Sequence, residues 1–152
     1  MNAMKLAQAL NLRSDIQNRM TELEDRLAAN ARTQEGVAPS EDPVKLFSEY
    51  EACAVQLEEL MARINRVNCE TVINGSTLTE LLAKRDCLKL RVRTYRRFLQ
   101  EASAIGGRSM RSEIRILSTV SVTEYRKLLD DCSAKLREID GLIQEANWIT
   151  EC

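Results

Sequence analysis

The strongest pattern in the sequence is a heptad repeat of apolar residues between positions 46 and 67. The apolar positions recur at alternating intervals of four and three residues: Leu46, Tyr50, Cys53, Leu57, Leu60, Ile64 and Val67. This spacing places them on one stripe of an α-helix. Because burying one leucine is favourable by roughly 1.5–3 kcal/mol, such a stripe must pack against other helices, in the same chain or in another.

Three further segments carry similar apolar stripes, and both prolines and all glycines except Gly141 fall between them. We predict four helices, over residues 5–30, 43–70, 77–103 and 122–147. Asp42-Pro43 suits the start of the second helix, as an N-cap followed by proline at the first helical position. Thr77 and Glu80 have the spacing of a capping box at the start of the third helix.

Two short segments between the predicted helices suit a turn and a strand. Asn74-Gly75 favours a reversal of the chain, since this dipeptide tolerates positive φ angles. Residues 113–121, EIRILSTVS, are rich in β-branched residues and predict one short strand. Ser121 and Glu124 then form another predicted capping box.

The predicted fold is therefore all-α, or mainly so. We expect an antiparallel bundle of long helices, or coiled-coil hairpins, with at most one short β element. A chain of 152 residues is long enough for one core, so we predict a single helical-bundle domain over residues 4–152. Residues 1–3 are left out of this prediction because Met4 would also serve as a start.

Several kinds of chemistry are disfavoured by composition. The chain has no histidine, which removes the commonest general base and the Glu-x-x-His pairs of di-iron bundles. It has five cysteines without a C-x-x-C pair, and it has no glycine-rich phosphate loop. We therefore predict no enzyme activity, no cofactor and no metal. Cys53 and Cys132 fall on apolar stripes and should be buried, whereas Cys152 should be exposed.

The net charge of −1 gives the whole molecule no attraction to nucleic acid or to anionic lipid. No signal-peptide pattern opens the chain, and no apolar run approaches the ~18 residues that a membrane span requires. We expect a cytoplasmic protein without a membrane partner.

The third predicted helix carries the strongest local concentration of charge. Between Lys84 and Arg97 there are seven basic residues and one acid, Asp86. One interpretation is a patch for the phosphates of RNA or DNA, which six of these residues would form: Lys84, Lys89, Arg91, Arg93, Arg96 and Arg97. The other is that this helix packs beside an acidic one, since residues 41–70 hold seven acids and three basic residues. We favour the second interpretation.

Arg85 interrupts the apolar stripe of the third helix. With its neighbour Asp86, and with Asn65 and Asn68 of the second helix, it is predicted to form a buried polar layer. Such a layer can fix helix register or oligomeric state. A ligand pocket at the same residues is the alternative.

Several short blocks of sequence are familiar as a set. They are MKLAQALNLRSDIQNRM, EDP, INRVN, TVINGSTLTELLAKRDCLKLRV, RSEIRILSTVSV and EANWITE. In this order they resemble a family of small bacterial proteins often labelled septicolysin. The resemblance covers nearly the whole chain from Met4. It implies a helical, cytosolic protein without an assigned reaction, and the sequence offers no membrane-spanning element for a cytolysin.

The functional prediction is a non-catalytic, self-associating helical protein with a structural or interaction role. Such a protein would form a homo-oligomer and offer a helix face to an unidentified protein partner. The alternative is an RNA- or DNA-binding bundle that uses the basic third helix.

Overall fold

A computed structural model describes residues 3–104 and 114–152, and across them the chain forms four α-helices. They are α1 (Leu6–Ala29), α2 (Pro43–Glu70), α3 (Leu78–Ser103) and α4 (Val122–Ile149). Two short strands, β1 (Val72–Ile73) and β2 (Ser76–Thr77), pair as an antiparallel sheet between α2 and α3. The mainly-α prediction is confirmed, and each helix begins and ends within two residues of its predicted bounds.

The helix starts follow from the capping residues that the sequence predicts. The Asp42 carboxylate accepts a hydrogen bond from the Val44 N–H at 3.0 Å, and Pro43 is the first residue of α2. At α3 the Glu80 N–H donates to the Thr77 hydroxyl at 3.1 Å, and the Thr77 N–H donates to the Glu80 carboxylate at 3.0 Å. Backbone donors that the helices leave unpaired are thereby satisfied.

The predicted turn is confirmed, whereas the predicted strand is wrong. Asn74 and Gly75 have φ angles of 50° and 85°, and they reverse the chain between β1 and β2. Residues 114–121 form no strand, and Glu113 lies outside the described residues. β-branched residues stabilise a strand only where a neighbouring strand pairs with it. The described pairing consists of the hairpin at the Asn74-Gly75 turn and one isolated bridge between Lys5 and Glu151.

The apolar stripes are partly buried within the single chain. The buried residues belong to all four helices, with the heptad positions of α2 and α3 well represented. Examples are Leu6, Leu23, Leu46, Leu60, Ile64, Leu78, Leu88, Val92, Leu99, Ile139 and Ile143. Cys53 and Cys132 are buried as predicted.

The described chain divides into two compact units. Unit 1 contains α1, α2 and the C-terminal segment Ala146–Cys152; unit 2 is Ile73–Glu145, with α3 and most of α4. The single domain over residues 4–152 stays a prediction.

In unit 1 the C-terminal segment is hydrogen-bonded to the residues that precede and open α1. The Leu6 N–H donates to the Thr150 carbonyl at 2.8 Å, and the Cys152 N–H donates to the Met4 carbonyl at 2.7 Å. The Arg63 guanidinium donates to the Cys152 carbonyl. Cys152 is consequently only 8% exposed, so the expectation of an exposed terminal thiol is wrong.

Candidate functional site

Of the predicted buried polar layer, the described chain shows one pair, Arg85 with Asp86, and the layer as a whole stays a prediction. The Arg85 guanidinium bonds to the Asp86 carboxylate at 3.1 Å, but the Arg85 side chain is 27% exposed and that of Asp86 is 66% exposed. Asn65 is also exposed, and Asn68 is half-buried. The physical reason is the length of arginine, whose stem can cover an apolar stripe while its charged end reaches a carboxylate in water.

All six residues of the predicted basic patch are exposed: Lys84, Lys89, Arg91, Arg93, Arg96 and Arg97. The ion pairs among the described residues join Lys5 to Glu151, Arg19 to Glu49, Arg26 to Glu41 and Arg85 to Asp86. None of the six basic residues takes part in them. Within the described chain, these six basic side chains thus have no carboxylate at ion-pair distance.

Arg91 differs from the other basic residues because it is held by an aromatic neighbour. Its Nε donates to the Tyr95 hydroxyl at 3.3 Å, and its guanidinium lies 5.8 Å from the centroid of that ring. The hydrogen bond with Tyr95 raises the pKa of Arg91 above its ordinary value. One N–H donor of Arg91 is therefore already used within the chain.

Four of the remaining basic residues share one face of α3. Lys89, Arg93, Arg96 and Arg97 are spaced i, i+4, i+7 and i+8, which places them in one stripe along the helix. We call this stripe the cationic face. It extends along the axis for about 12 Å, at ~1.5 Å per residue.

The cationic face borders an open groove that contains an exposed aromatic ring. This Phe98 groove has a volume of about 630 Å³. Its lining residues are Arg93, Thr94, Arg97, Phe98 and Glu101. Phe98 is 40% exposed. Its ring contacts the ring of Tyr125 of α4 edge to face, with the ring centroids 5.4 Å apart and the ring planes at 68°. The sequence interpretation missed Phe98, although its position directly after Arg96-Arg97 was a visible signal.

A second open groove adjoins the other side of the cationic face. It has a volume of about 510 Å³ and is lined by Arg96, Gln100 and Ser103 of α3, together with Arg126 of α4 and neighbouring apolar residues. No acidic side chain of the described residues lines it. Two arginines on two helices therefore face one space, and Arg126 was not singled out from the sequence.

Unit 1 carries a surface of the opposite kind, which the sequence interpretation also missed. An open groove of about 590 Å³ lies between the end of α1 and the start of α2. Its lining is entirely apolar: Leu27, Ala28, Ala31, Pro43, Val44 and Phe47. Val44 is 76% exposed and Phe47 is 57% exposed. We call it the apolar groove.

Sequence comparison places the chain in a family. Residues 13–152 match the model of DUF6847, a family of unknown function. The chain belongs to DUF6847. No curated protein matches this member of DUF6847.

A solved structure has the same fold as this member of DUF6847. It is the crystal structure of a functionally unknown conserved protein from Corynebacterium diphtheriae, with 36% sequence identity and a TM-score of 0.90. The similarity covers 99% of each chain. Neither description carries the label septicolysin, so that resemblance stays a prediction.

The described part of this DUF6847 chain contains neither a membrane-spanning helix nor a cluster of metal ligands. No helix there is long and apolar enough to cross a membrane. No three acidic or cysteine side chains there are grouped closely enough to hold a metal ion. The candidate sites, chosen for their exposed arginines and apolar side chains, are the two arginine-lined grooves of unit 2 and the apolar groove of unit 1.

Proposed function

We propose that this protein is a non-catalytic interaction protein that associates with a second copy of itself through the apolar groove. The observation that carries the proposal is the exposure of Val44 and Phe47 beside four further apolar residues. Contiguous apolar surface of this kind marks interaction sites in folded proteins. Removing it from water stabilises a complex by roughly 25 cal/mol per Å² before the entropy of association is subtracted.

A second copy is the proposed occupant because of the groove's composition. Homodimer interfaces are more apolar than those of transient complexes, and the lining here has no polar side chain. A two-fold dimer uses the same patch on both subunits, so one apolar groove can cover another. Much of each heptad stripe is already buried within one chain, so the more exposed apolar groove is the proposed contact.

Light scattering on a size-exclusion column tests the proposal. The wild-type chain should elute with a mass above the 17.3 kDa of one copy, and Phe47→Glu should elute at that monomer mass. Val55→Glu is the matched control, because Val55 lies on the same helix, is 56% exposed and is outside the groove. A wild-type chain that stays monomeric at every concentration refutes self-association.

We place the protein in the cytosol as part of the same proposal. Its five cysteines, all within the described residues, form no disulfide, which fits a reducing compartment. Fractionation of cells with a specific antibody tests the location; recovery outside the cytosol would contradict it.

A second candidate function, binding of RNA or DNA by α3, is favoured by one specific observation. Six exposed basic side chains have no carboxylate at ion-pair distance among the described residues. Phosphates would gain affinity there by releasing counterions. Retention of labelled nucleic acid on a filter at low salt, and its loss at higher salt, is the expected result; no retention at low salt removes this candidate.

A further inference from the structure

We propose that the Phe98 groove binds single-stranded nucleic acid in preference to duplex, with a base stacked on Phe98 and phosphates on Arg93 and Arg97. This inference rests on the second candidate function. It adds the strandedness of the ligand and a role for an aromatic residue.

Two arginines give the Phe98 groove a positive charge. Arg93 and Arg97 are one helical turn apart, so their side chains emerge about 6 Å apart along the axis of α3. Both line the groove, where Glu101 is the single acid of the described lining. The cationic face continues this positive surface over about 12 Å, the length of about four nucleotides at ~3.4 Å each.

The exposed ring of Phe98 offers a surface on which a base can stack. Tyr125 meets Phe98 edge to face, with ring centroids 5.4 Å apart, and this contact supports one side of the ring while leaving 40% of the residue exposed. Sites for single strands combine a positively charged groove with aromatic side chains on which bases stack. Here one ring and two arginines line the same space.

Strandedness follows from what an aromatic ring can reach. In a duplex the faces of the bases are stacked on one another, so a ring on a helix surface meets only edges and backbone. In a single strand a base can turn outward and lie on the ring. The Phe98 contact therefore adds affinity for a single strand alone, whereas the arginines attract either form.

The groove lined by Arg96 and Arg126 offers further contacts for the sugar-phosphate backbone of a bound strand. It brings a cation of α4 next to the cationic face, and Gln100 and Ser103 supply hydrogen-bond donors beside them. A strand that stacks on Phe98 can thus place neighbouring phosphates on either side of α3.

Fluorescence anisotropy of the full-length chain tests the inference. The probes are a labelled oligothymidylate of about 12 nucleotides and a duplex of equal length, each measured at about 50 and 200 mM salt. The oligothymidylate should bind at least about fivefold more tightly than the duplex, since stacking on one aromatic side chain is worth that factor or more.

Two sets of variants separate stacking from charge. Phe98→Leu keeps an apolar side chain but removes the ring, so it should weaken oligothymidylate binding about tenfold and leave duplex binding unchanged. Phe98→Trp should retain the single-strand preference. For single strands, a plot of the logarithm of the binding constant against the logarithm of the salt concentration has a negative slope. The double variant R93Q/R97Q should make this slope shallower by about 1.4, at ~0.7 per lost phosphate contact.

Matched controls come from exposed residues elsewhere on the helices. R66Q/R137Q removes two exposed arginines that line neither groove, and Leu90→Ala removes an exposed apolar side chain of α3. Both should bind like the wild type, and circular dichroism should show every variant folded.

The outcomes distinguish the inference from the function on which it rests. Equal binding of single strand and duplex, or an unchanged single-strand affinity in Phe98→Leu, overturns the inference and leaves nucleic-acid binding by α3 in place. No binding of either probe at the lower salt concentration overturns both. Binding of the double arginine variant equal to that of the wild type also overturns the assignment to this groove.

Discussion

Arg26, in the last turn of α1, donates a hydrogen bond from Nε to Oε2 of Glu41 at 3.0 Å, and its guanidinium also bonds to Oε1. The pair joins α1 to the linker just before the Asp42 cap of α2. The hydrogen bond from Arg26 holds the pKa of Glu41 below its ordinary value of 4.5, and the same contact raises the pKa of Arg26.

This relationship predicts a pH dependence of stability. Because the folded pKa of Glu41 is depressed, the pair stabilises the fold above about pH 4.5, the pKa of the unfolded chain, and loses that contribution as pH falls through the folded pKa. Glu41→Gln should therefore lower the free energy of unfolding at pH 7, with a difference from wild type that shrinks in acid. Urea titrations of both proteins, from pH 7 down to below pH 4.5, measure this difference in the free energy of unfolding.

The control for this prediction is a double-mutant cycle. In an Arg26→Gln background, Glu41→Gln should have little further effect at pH 7, because its main partner is gone. An undiminished effect in that background would show that the carboxylate acts through something other than Arg26.

Two glycines should respond to alanine with opposite signs. Gly75 has a φ of +85° in the turn between β1 and β2, so Gly75→Ala should destabilise the fold by about 1 kcal/mol. Gly141 lies within α4, and a Cβ added there meets no atom within 4 Å, so Gly141→Ala should stabilise by about 0.5–1 kcal/mol. Urea midpoints that move in the same direction would contradict this prediction.

The capping box of α3 predicts a moderate loss on substitution of its threonine. Thr77→Ala removes the acceptor for the Glu80 N–H and should lower the free energy of unfolding by about 1 kcal/mol. Thr123→Ala, at an exposed position in the first turn of α4, is the control and should change stability by less. Equal losses for the two variants in urea would argue against a capping role.

Two leucines test whether the chain unfolds as one domain. Leu23 in unit 1 and Leu78 in unit 2 are 1% and 0% exposed, so replacing either by alanine should cost about 2–5 kcal/mol. Leu90→Ala, at a residue that is 53% exposed, should cost much less.

The single-domain prediction requires that either substitution shift one shared unfolding transition. Fluorescence of Trp148, the one tryptophan of the chain, reports on unit 1, and far-ultraviolet circular dichroism reports on all helices. The two signals should change together in wild type and in both variants. Separate midpoints would establish two independently unfolding units.

Local signals explain why the helices could be predicted from the sequence. The heptad stripe of α2, the Asp42-Pro43 start and the Thr77 capping box each depend on residues within a few positions of one another. Such short-range interactions can be inferred from the sequence alone, and the described helices begin where these signals indicate.

The features that escaped prediction depend on residues far apart in the chain. The burial of Cys152 requires its pairing with Met4, and the Phe98 ring is held by Tyr125 from another helix. The apolar groove requires the end of α1 to lie beside the start of α2. Periodicity identifies which stripe of a helix is covered, but not which remaining side chains meet at the surface.

The hydrogen bonds from Leu6 to Thr150 and from Cys152 to Met4 make the first and last described segments spatial neighbours. A short peptide bridge could therefore join them into a circular backbone, and new termini could be opened at the exposed Asn74-Gly75 turn.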